Sequence, residues 1–441
     1  MRNLYYFVVL VTTIFLPITV VNAASLIDIY HEALQHDTQY KIARHSYLAN
    51  QEKLPQGRAG LLPNIEFAGR ARTTLLDTEN RSEATINNRG IVITATQPLF
   101  RVENFLIYQQ AKNEVAQGDA KFVLAAQDLI LRVIQGYFDT LIAQADVDAM
   151  VAQEKAFRQQ LELMNNNLEF GLGTIVDKNE AESRYDLALS QELAARNALE
   201  ISKRNLQSII NRFPNDLTGL SIDNIISDPL IAPQEKMEDL VEQAERKNFL
   251  LKIQQFSYEI AQQELSRAKA GHYPTVDVVG QYTNQQNQPF VVAGRGIDFE
   301  SKSIGVEVKI PIFQGFSTQS RVREMLATRD KTREEVENIR RIINLQVRQH
   351  YLNITNGIAQ VKALKKAIIS TRSQLDSTIL GRESGIRLEI DVLNAQQQYY
   401  SARKNLVVAY YNYLMSRLKL KAELGELDES VLEEVSASLR G

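Results

Sequence analysis

The second half of this chain restates the first. Lys41-Ile42 and Ser46-Tyr47 recur 211 positions on as Lys252-Ile253 and Ser257-Tyr258, and Ala59-Gly60 with Pro63 recurs at the same offset as Ala270-Gly271 with Pro274. Pro98 and Phe100 return as Pro311 and Phe313 at an offset of 213. Val133, Gln135 and Tyr137 return as Val347, Gln349 and Tyr351 at 214, and Gly171, Asp177 and Tyr185 as Gly385, Asp391 and Tyr399 at 214 again. The offset drifts in one direction, as small loop insertions produce, whereas chance matches scatter. A tandem duplication is therefore expected, with repeats at 24–210 and 237–420, a polar, Pro-bearing link at 211–236 and a short tail at 421–441.

Each copy has the same order of elements. A helix is expected from Leu26 to about Leu54 and again from Met237 to about Ala268, followed by a strand pair and a very long helical stretch. After Pro98 no proline occurs until Pro214, and after Pro311 none occurs at all. Proline costs about 3 kcal/mol inside a helix, so these two intervals are where long helices can exist. They are rich in strong helix formers, and apolar residues recur at three- and four-residue steps, as in Phe122, Ala126, Leu129, Val133, Tyr137 and Leu141. Glycines interrupt each interval, at Gly171-Leu172-Gly173 and from Gly381 to Gly385. Each interval therefore reads as a helical hairpin, with tips near 168–176 and 381–390. The first arm, from about Val102 to Asn167, would span about 100 Å at 1.5 Å per residue.

The strands are expected at about 64–74, 90–98, 275–285 and 301–311. Ile65, Phe67, Gly69 and Ala71 alternate with Glu66, Ala68, Arg70 and Arg72; Ile304, Val306, Val308 and Ile310 alternate with Ser303, Gly305, Glu307 and Lys309. Period-two patterning over about ten residues is that of a membrane strand with a polar lumen face. The polar segments Leu75–Arg89 and Gln285–Asp298 fit external loops. Four strands cannot cross a bilayer alone, because both edges would lie unpaired in hydrocarbon. Two chains would supply eight strands and three chains twelve. A half-buried soluble sheet is the competing interpretation.

Bulk properties narrow the function. The first 23 residues carry Arg2, an apolar run from Leu4 to Val21 and Val21-Asn22-Ala23, the pattern of a cleaved signal peptide; a signal anchor is the alternative. The formal charge of −3 argues against a nucleic-acid partner. With no cysteine, a disulfide framework, a Cys-ligated metal and a thiol nucleophile are excluded. No phosphate loop is present, and His31, His36, His45, His272 and His350 show no triad-like or metal-ligand grouping, each fitting a surface or tunnel-wall position. No catalytic residue, metal or cofactor is expected, and the chain does not read as an enzyme. An exported coiled-coil structural or adhesive protein is the main rival reading.

Gln97-Pro-Leu-Phe100, Ile310-Pro-Ile-Phe313, Phe170-Gly-Leu-Gly-Thr174, the run from Gly385 to Asn394 and Ala409-Tyr-Tyr-Asn-Tyr-Leu414 together resemble the TolC family of outer-membrane efflux and type I secretion channels, over essentially the whole mature sequence. The resemblance implies a mainly α protein with a membrane β-barrel. Three chains would form a twelve-stranded barrel continued by a long α-helical coiled-coil tunnel, with the link and tail as an equatorial girdle. It implies a passive export conduit in the outer membrane. Its partners would be outer-membrane lipid, a periplasmic adaptor and an inner-membrane ABC, RND or MFS transporter. It also implies a gate at the periplasmic hairpin tips: Asp177, Arg382 and Arg387 as latch, Asp391 as an acidic ring, and Gly171, Leu172, Gly173 and Gly385 as the adaptor-docking tips. The family often carries a second aspartate where Asn394 stands, so this ring would hold three charges; some members have Tyr where Arg382 stands.

Overall fold

The computed structural model describes residues 24–78, 81–214, 217–287 and 298–440; the expected signal peptide lies outside them. The first repeat contains α1 (Leu26–His36), α2 (Thr38–Gln51), α3 (Lys53–Ala59), β1 (Asn64–Thr78), β2 (Arg81–Phe100), α4 (Val102–Glu169) and α5 (Ile175–Ile210). The link carries α6 (Ile222–Ser227). The second repeat contains α7 (Met237–Lys247), α8 (Phe249–Ala270), β3 (Thr275–Asn287), β4 (Asp298–Lys309), α9 (Ser317–Glu383) and α10 (Glu389–Glu423), and α11 (Glu429–Arg440) ends the chain.

The two helices expected ahead of the strand pairs are each broken, at positions 211 apart. Asp37 and Asn248 adopt extended backbone (ψ 124° and 128°), and each closes the preceding helix with its own N–H while its side chain accepts the N–H of Tyr40 or Leu251. A short polar side chain that caps the next helix outcompetes helix continuation. In the first copy Asp37 is additionally gripped by both terminal nitrogens of Arg132, at 2.8 and 3.1 Å. In the second, Asn248 donates to the carboxylate of Glu423 at 2.8 Å.

The four strands form one antiparallel sheet in the order β1-β2-β3-β4. The strands run further than expected: β1 pairs with β2 out to Thr78↔Arg81, through the segment read from sequence as a loop. Past the apolar residues the alternation of side chains fades, but the backbone ladder needs no apolar partner, and Thr73, Thr74 and Thr85 favour it. The register shifts between Pro98 and Phe100, where proline removes a ladder donor.

The long helices pack on heptad seams. Ala181, Ala188 and Ala195 of α5 are buried, and so are their counterparts Ala395, Ala402 and Ala409 of α10, 214 positions on. On the opposing helices, Val347, Ile354, Val361 and Ile368 of α9 repeat at seven residues, matching Val133, Thr140, Val147 and Glu154 of α4. A sustained seven-residue repeat imposes a left-handed supercoil, and the alanines let the helices of each hairpin approach closely. Gly118 shows the same economy of space: a Cβ there would lie 2.0 Å from the amide nitrogen of Asn50, which donates to the Glu114 carbonyl. The main core sits at the waist, where α1 packs on α4, α5 and α11, and α7 packs on α9, around Leu129 to Phe138 of α4, Ile343 to Ile354 of α9 and Leu406 to Leu418 of α10. Tyrosines fasten the link there. Tyr137 donates to the Thr218 carbonyl at 2.6 Å, Tyr410 to Asp228 at 2.8 Å, and the Tyr413 hydroxyl both donates to and accepts from the Ile231 backbone at 2.9 Å.

Asp37 supplies the first test. Asp37→Ala removes a cap and the main partner of Arg132 and should cost about 2–4 kcal/mol, whereas Asp37→Asn, which keeps the cap as Asn248 does, should cost less than half of that. Burial pushes the Asp37 carboxyl up, but the bonds from Arg132 and Tyr40 outweigh it and leave it below its ordinary value. Its contribution is therefore complete above the unfolded carboxylate value and is lost as pH falls through the lowered folded one. The gap between wild type and Asp37→Asn should close below about pH 4. Denaturant unfolding followed by circular dichroism reads both effects, and equal costs for the two substitutions would remove the cap from the account.

Candidate functional site

Two regions differ from a conventional protein surface: the hairpin tips and the sheet. The tips are copies of each other. In the first, Leu172 N–H bonds the Asn167 carbonyl at 2.7 Å; in the second, Ile386 N–H bonds the Gly381 carbonyl at 2.9 Å. These six-to-one bonds require a left-handed residue between them, supplied by Gly171 (φ +70°) and Gly385 (φ +73°). Gly173 closes the first turn onto the Asn167 carbonyl. Both tips present apolar side chains to the outside: Leu172 is 80% exposed and Ile386 81%.

The expected latch residues are placed as follows. Asp177 sits three residues after Thr174, which opens α5; its carboxylate accepts both the N–H (3.1 Å) and the hydroxyl (2.7 Å) of Thr174. Those two bonds hold the Asp177 carboxyl below its ordinary value. Arg382, in the last turn of α9, pairs with Glu389 at 3.1 Å. Arg387 lies 3.8 Å from Asp391, one helical turn on. Asp391 itself accepts the Leu388 N–H at 3.2 Å, and Asn394 is exposed one turn further along α10. Within one chain, therefore, the expected Asp177–Arg387 clamp is not formed: each partner is engaged locally, because a capping carboxylate and an i,i+4 pair are nearer than the neighbouring hairpin. Sequence reasoning missed Glu389, whose position in the first turn of α10 was the available signal. Of the five histidines four are exposed; His350 is half-buried on α9, where burial and then Lys419 hold it below its ordinary value.

The sheet inverts the usual rule of burial. Its apolar face, Ile65 and Phe67 on β1 and Ile304, Val306 and Val308 on β4, lies open, with Ile304 82% exposed. The opposite face is polar, and at its lower end the charges are matched: Arg101 grips Asp277 at 2.6 Å, and Lys309 pairs with Glu307 at 3.0 Å. Among the described residues neither β1 nor β4 has a second strand partner, so both sheet edges carry free backbone groups. No described helix is long and apolar enough to cross a membrane.

An apolar-out, polar-in sheet with open edges, continued by two hairpins whose long arms α4 and α9 span about 100 Å, defines one protomer of a membrane channel built on a tandem repeat. The family model for outer membrane efflux proteins matches residues 29–212 and 240–426, and the chain belongs to that family. It is 29% identical to the outer membrane protein TolC of Vibrio cholerae over 95% of this chain and 94% of that protein. It is 26% identical to the proteases secretion protein PrtF of Dickeya chrysanthemi, covering 94% and 91% of the two chains. The fold is shared with the CmeC outer membrane channel of Campylobacter jejuni (TM-score 0.78, 12% identity, 94% and 89% coverage).

The turn geometry generates the second test. A β-branched residue is strongly disfavoured at positive φ, although open space surrounds both tip glycines. Gly385→Val should open the α9–α10 turn and speed limited proteolysis within 381–390, while Gly385→Asn, which tolerates the left-handed region, should cleave nearly as slowly as wild type. Equal cleavage of the two variants would mean that the backbone conformation does not hold the tip.

Proposed function

We infer that the protein is an outer-membrane export channel: three copies close their sheets into a twelve-stranded barrel, and their hairpins form a tunnel below it that conducts cargo of an efflux pump or a type I secretion system. The observation that carries this reading is the sheet, whose apolar face and two bare edges have no stable state in a bilayer until other chains complete the ring. The relatives named for protease secretion and the channels sharing the fold support it. The duct is passive; an adaptor engaging the tips at Gly171, Leu172, Gly173 and Gly385 and an inner-membrane transporter would supply coupling and energy. Detergent-solubilised protein should run as a trimer and form conducting pores in planar bilayers. A stable water-soluble monomer would overturn the reading.

The tips would form the gate. Around a three-fold axis the Asp391 carboxylates repel one another by roughly 2–3 kcal/mol per pair at about 6 Å and an effective dielectric of about 20. Arg387, beside Asp391 in the same chain, offsets part of that repulsion and in the trimer would reach Asp177 of a neighbouring chain; Arg382 with Glu389 stiffens the same turn. Arg387→Ser keeps the repulsion and removes the cation, so the resting conductance of the trimer should rise, and rise further with Asp177→Ala. Asp391→Asn should instead lower cation preference and weaken block by multivalent cations from the tunnel side, without widening the pore. Unchanged conductance in Arg387→Ser together with a wide-open Asp391→Asn pore would mean that the roles are reversed and packing holds the gate.

A further inference from the structure

The border of the apolar band on the sheet fixes heights in the barrel. Its last large apolar residues are Ile91 on β2, Tyr282 on β3 and Ile304 on β4. Ile91 pairs with Asn284 and Tyr282 with Lys302, so the border steps two residues down each successive strand. At about 3.4 Å per residue and about 4.8 Å between strands, the strands tilt by roughly 55° from the barrel axis. The same step taken upward from Gly69, the partner of Ile91, carries this line to Ala71 on β1, where one more large apolar residue, Leu75, follows on the same face four residues beyond it. The residues flanking the border on the polar face are then Arg70 and Arg72 on β1, Gly90 and Val92 on β2, Gln281 and Thr283 on β3, and Ser303 and Gly305 on β4. Six of the eight are uncharged and the other two are arginines.

Both arginines are exposed, and neither forms an ion pair among the described residues. This contrasts with the lower end of the same face, where Arg101 and Lys309 each have a carboxylate. Glu66, on the same face of β1, lies about 13 Å down the strand from Arg70 at about 3.3 Å per residue, and accepts from Asn64. Glu300 and Asp298 share the apolar face with Ile304 and point away from the lumen by strand alternation.

We propose that Arg70 and Arg72 form a cationic ring inside the barrel, at the level of the outer border of the membrane, which binds small multivalent anions and opposes the cation preference of the Asp391 ring at the other end. The proposal rests on the trimeric-barrel reading, in which three chains bring six guanidinium groups to one height. Guanidinium groups suit phosphate and carboxylate oxygens through their forked donors. The lumen of a twelve-stranded barrel is wide, so the ring acts through its field, which reaches about 10 Å at 0.1 M salt and about 30 Å at 0.01 M.

The test uses trimers in planar bilayers, with inorganic tripolyphosphate as the probe. Added on the barrel side at low salt, it should block wild-type current, and Arg70→Gln/Arg72→Gln should need about tenfold more for the same block and show at least about a twofold higher cation-to-anion permeability ratio. Because the chain has no cysteine, Arg70→Gln/Arg72→Cys introduces one thiol. A water-soluble cationic thiol reagent should restore the block there, and a neutral reagent of similar size should not. If the thiol reacts and changes the current, yet block and permeability ignore the charge it carries, the ring is overturned while the barrel stands. If the thiol is not reached from the aqueous lumen, the polar face does not line a pore, and both readings fall.

Discussion

Every other feature of this chain is subordinate to the two unpaired edges of a four-stranded sheet. Each edge of a strand a dozen residues long leaves about half that number of N–H and C=O pairs without partners, and in hydrocarbon each unsatisfied group costs several kcal/mol. No side-chain adjustment offsets a cost of that size, and in the proposed assembly the edge of β4 meets the edge of a β1 from another chain. The open apolar face, with Ile304 and Ile65 among its residues, is the complementary half of the same constraint. In water it would be an aggregation surface, and against lipid it is the correct one. The protomer is thus a fragment of a surface that only assembly closes.

Closure above dictates packing below. Helices that continue from a ring of strands must stay side by side for about 100 Å, and a straight helix drifts away from its neighbour unless its contact residues repeat every seventh position. The paired series Ala181, Ala188, Ala195 and Ala395, Ala402, Ala409 meets that demand identically in both copies. Small residues on α5 and α10 face β-branched ones on α9 and α4, a large-into-small fit. The first copy departs from it at Glu154, the counterpart of Ile368, where a buried carboxylate is held by Arg158 at 2.5 Å.

The duplication, the proline-free intervals and the strand alternation were legible because each is a periodicity or an exclusion acting on many residues at once. The fold class followed from them. What escaped was local competition. The helical pattern from Leu26 to Leu54 runs across Asp37, yet its side chain caps the next helix and breaks the run, as Asn248 does in the second copy without an arginine partner. The continuation of β1 and β2 through 75–89 escaped because side-chain alternation ends where the lipid would end, while backbone pairing does not. The tyrosine clamp on the link was equally hidden, since Tyr137, Tyr410 and Tyr413 read as helix-face aromatics and their targets, two backbone groups and the Asp228 carboxylate, lie in a link far off in sequence. At the tips, the glycines stood out because a positive φ has few alternatives. The pairing of Arg382 with Glu389 depends on the path of the turn, which spacing alone does not give.

The two tips, alike in backbone, differ in what caps them, and the difference bears on the proposed gate. Thr174 caps α5 with its hydroxyl and leaves Asp177 as the second member of a reciprocal box. Its counterpart Leu388 has no hydroxyl, so the carboxylate of Asp391 is the side-chain partner of the Leu388 N–H at the start of α10. The residue that would form the acidic ring is thereby also a capping residue, at a helix N-terminus whose dipole favours negative charge by about 0.3–1 kcal/mol. The exposed pair with Arg387 adds about 0–1 kcal/mol more. Three such sites together contribute about 1–6 kcal/mol, against roughly 6–9 kcal/mol of repulsion from three carboxylate pairs at about 6 Å. Local compensation alone thus falls short of holding three carboxylates at an axis. The remainder has to come from contacts between chains, which makes the closed aperture a property of the assembled tips and not of any single hairpin.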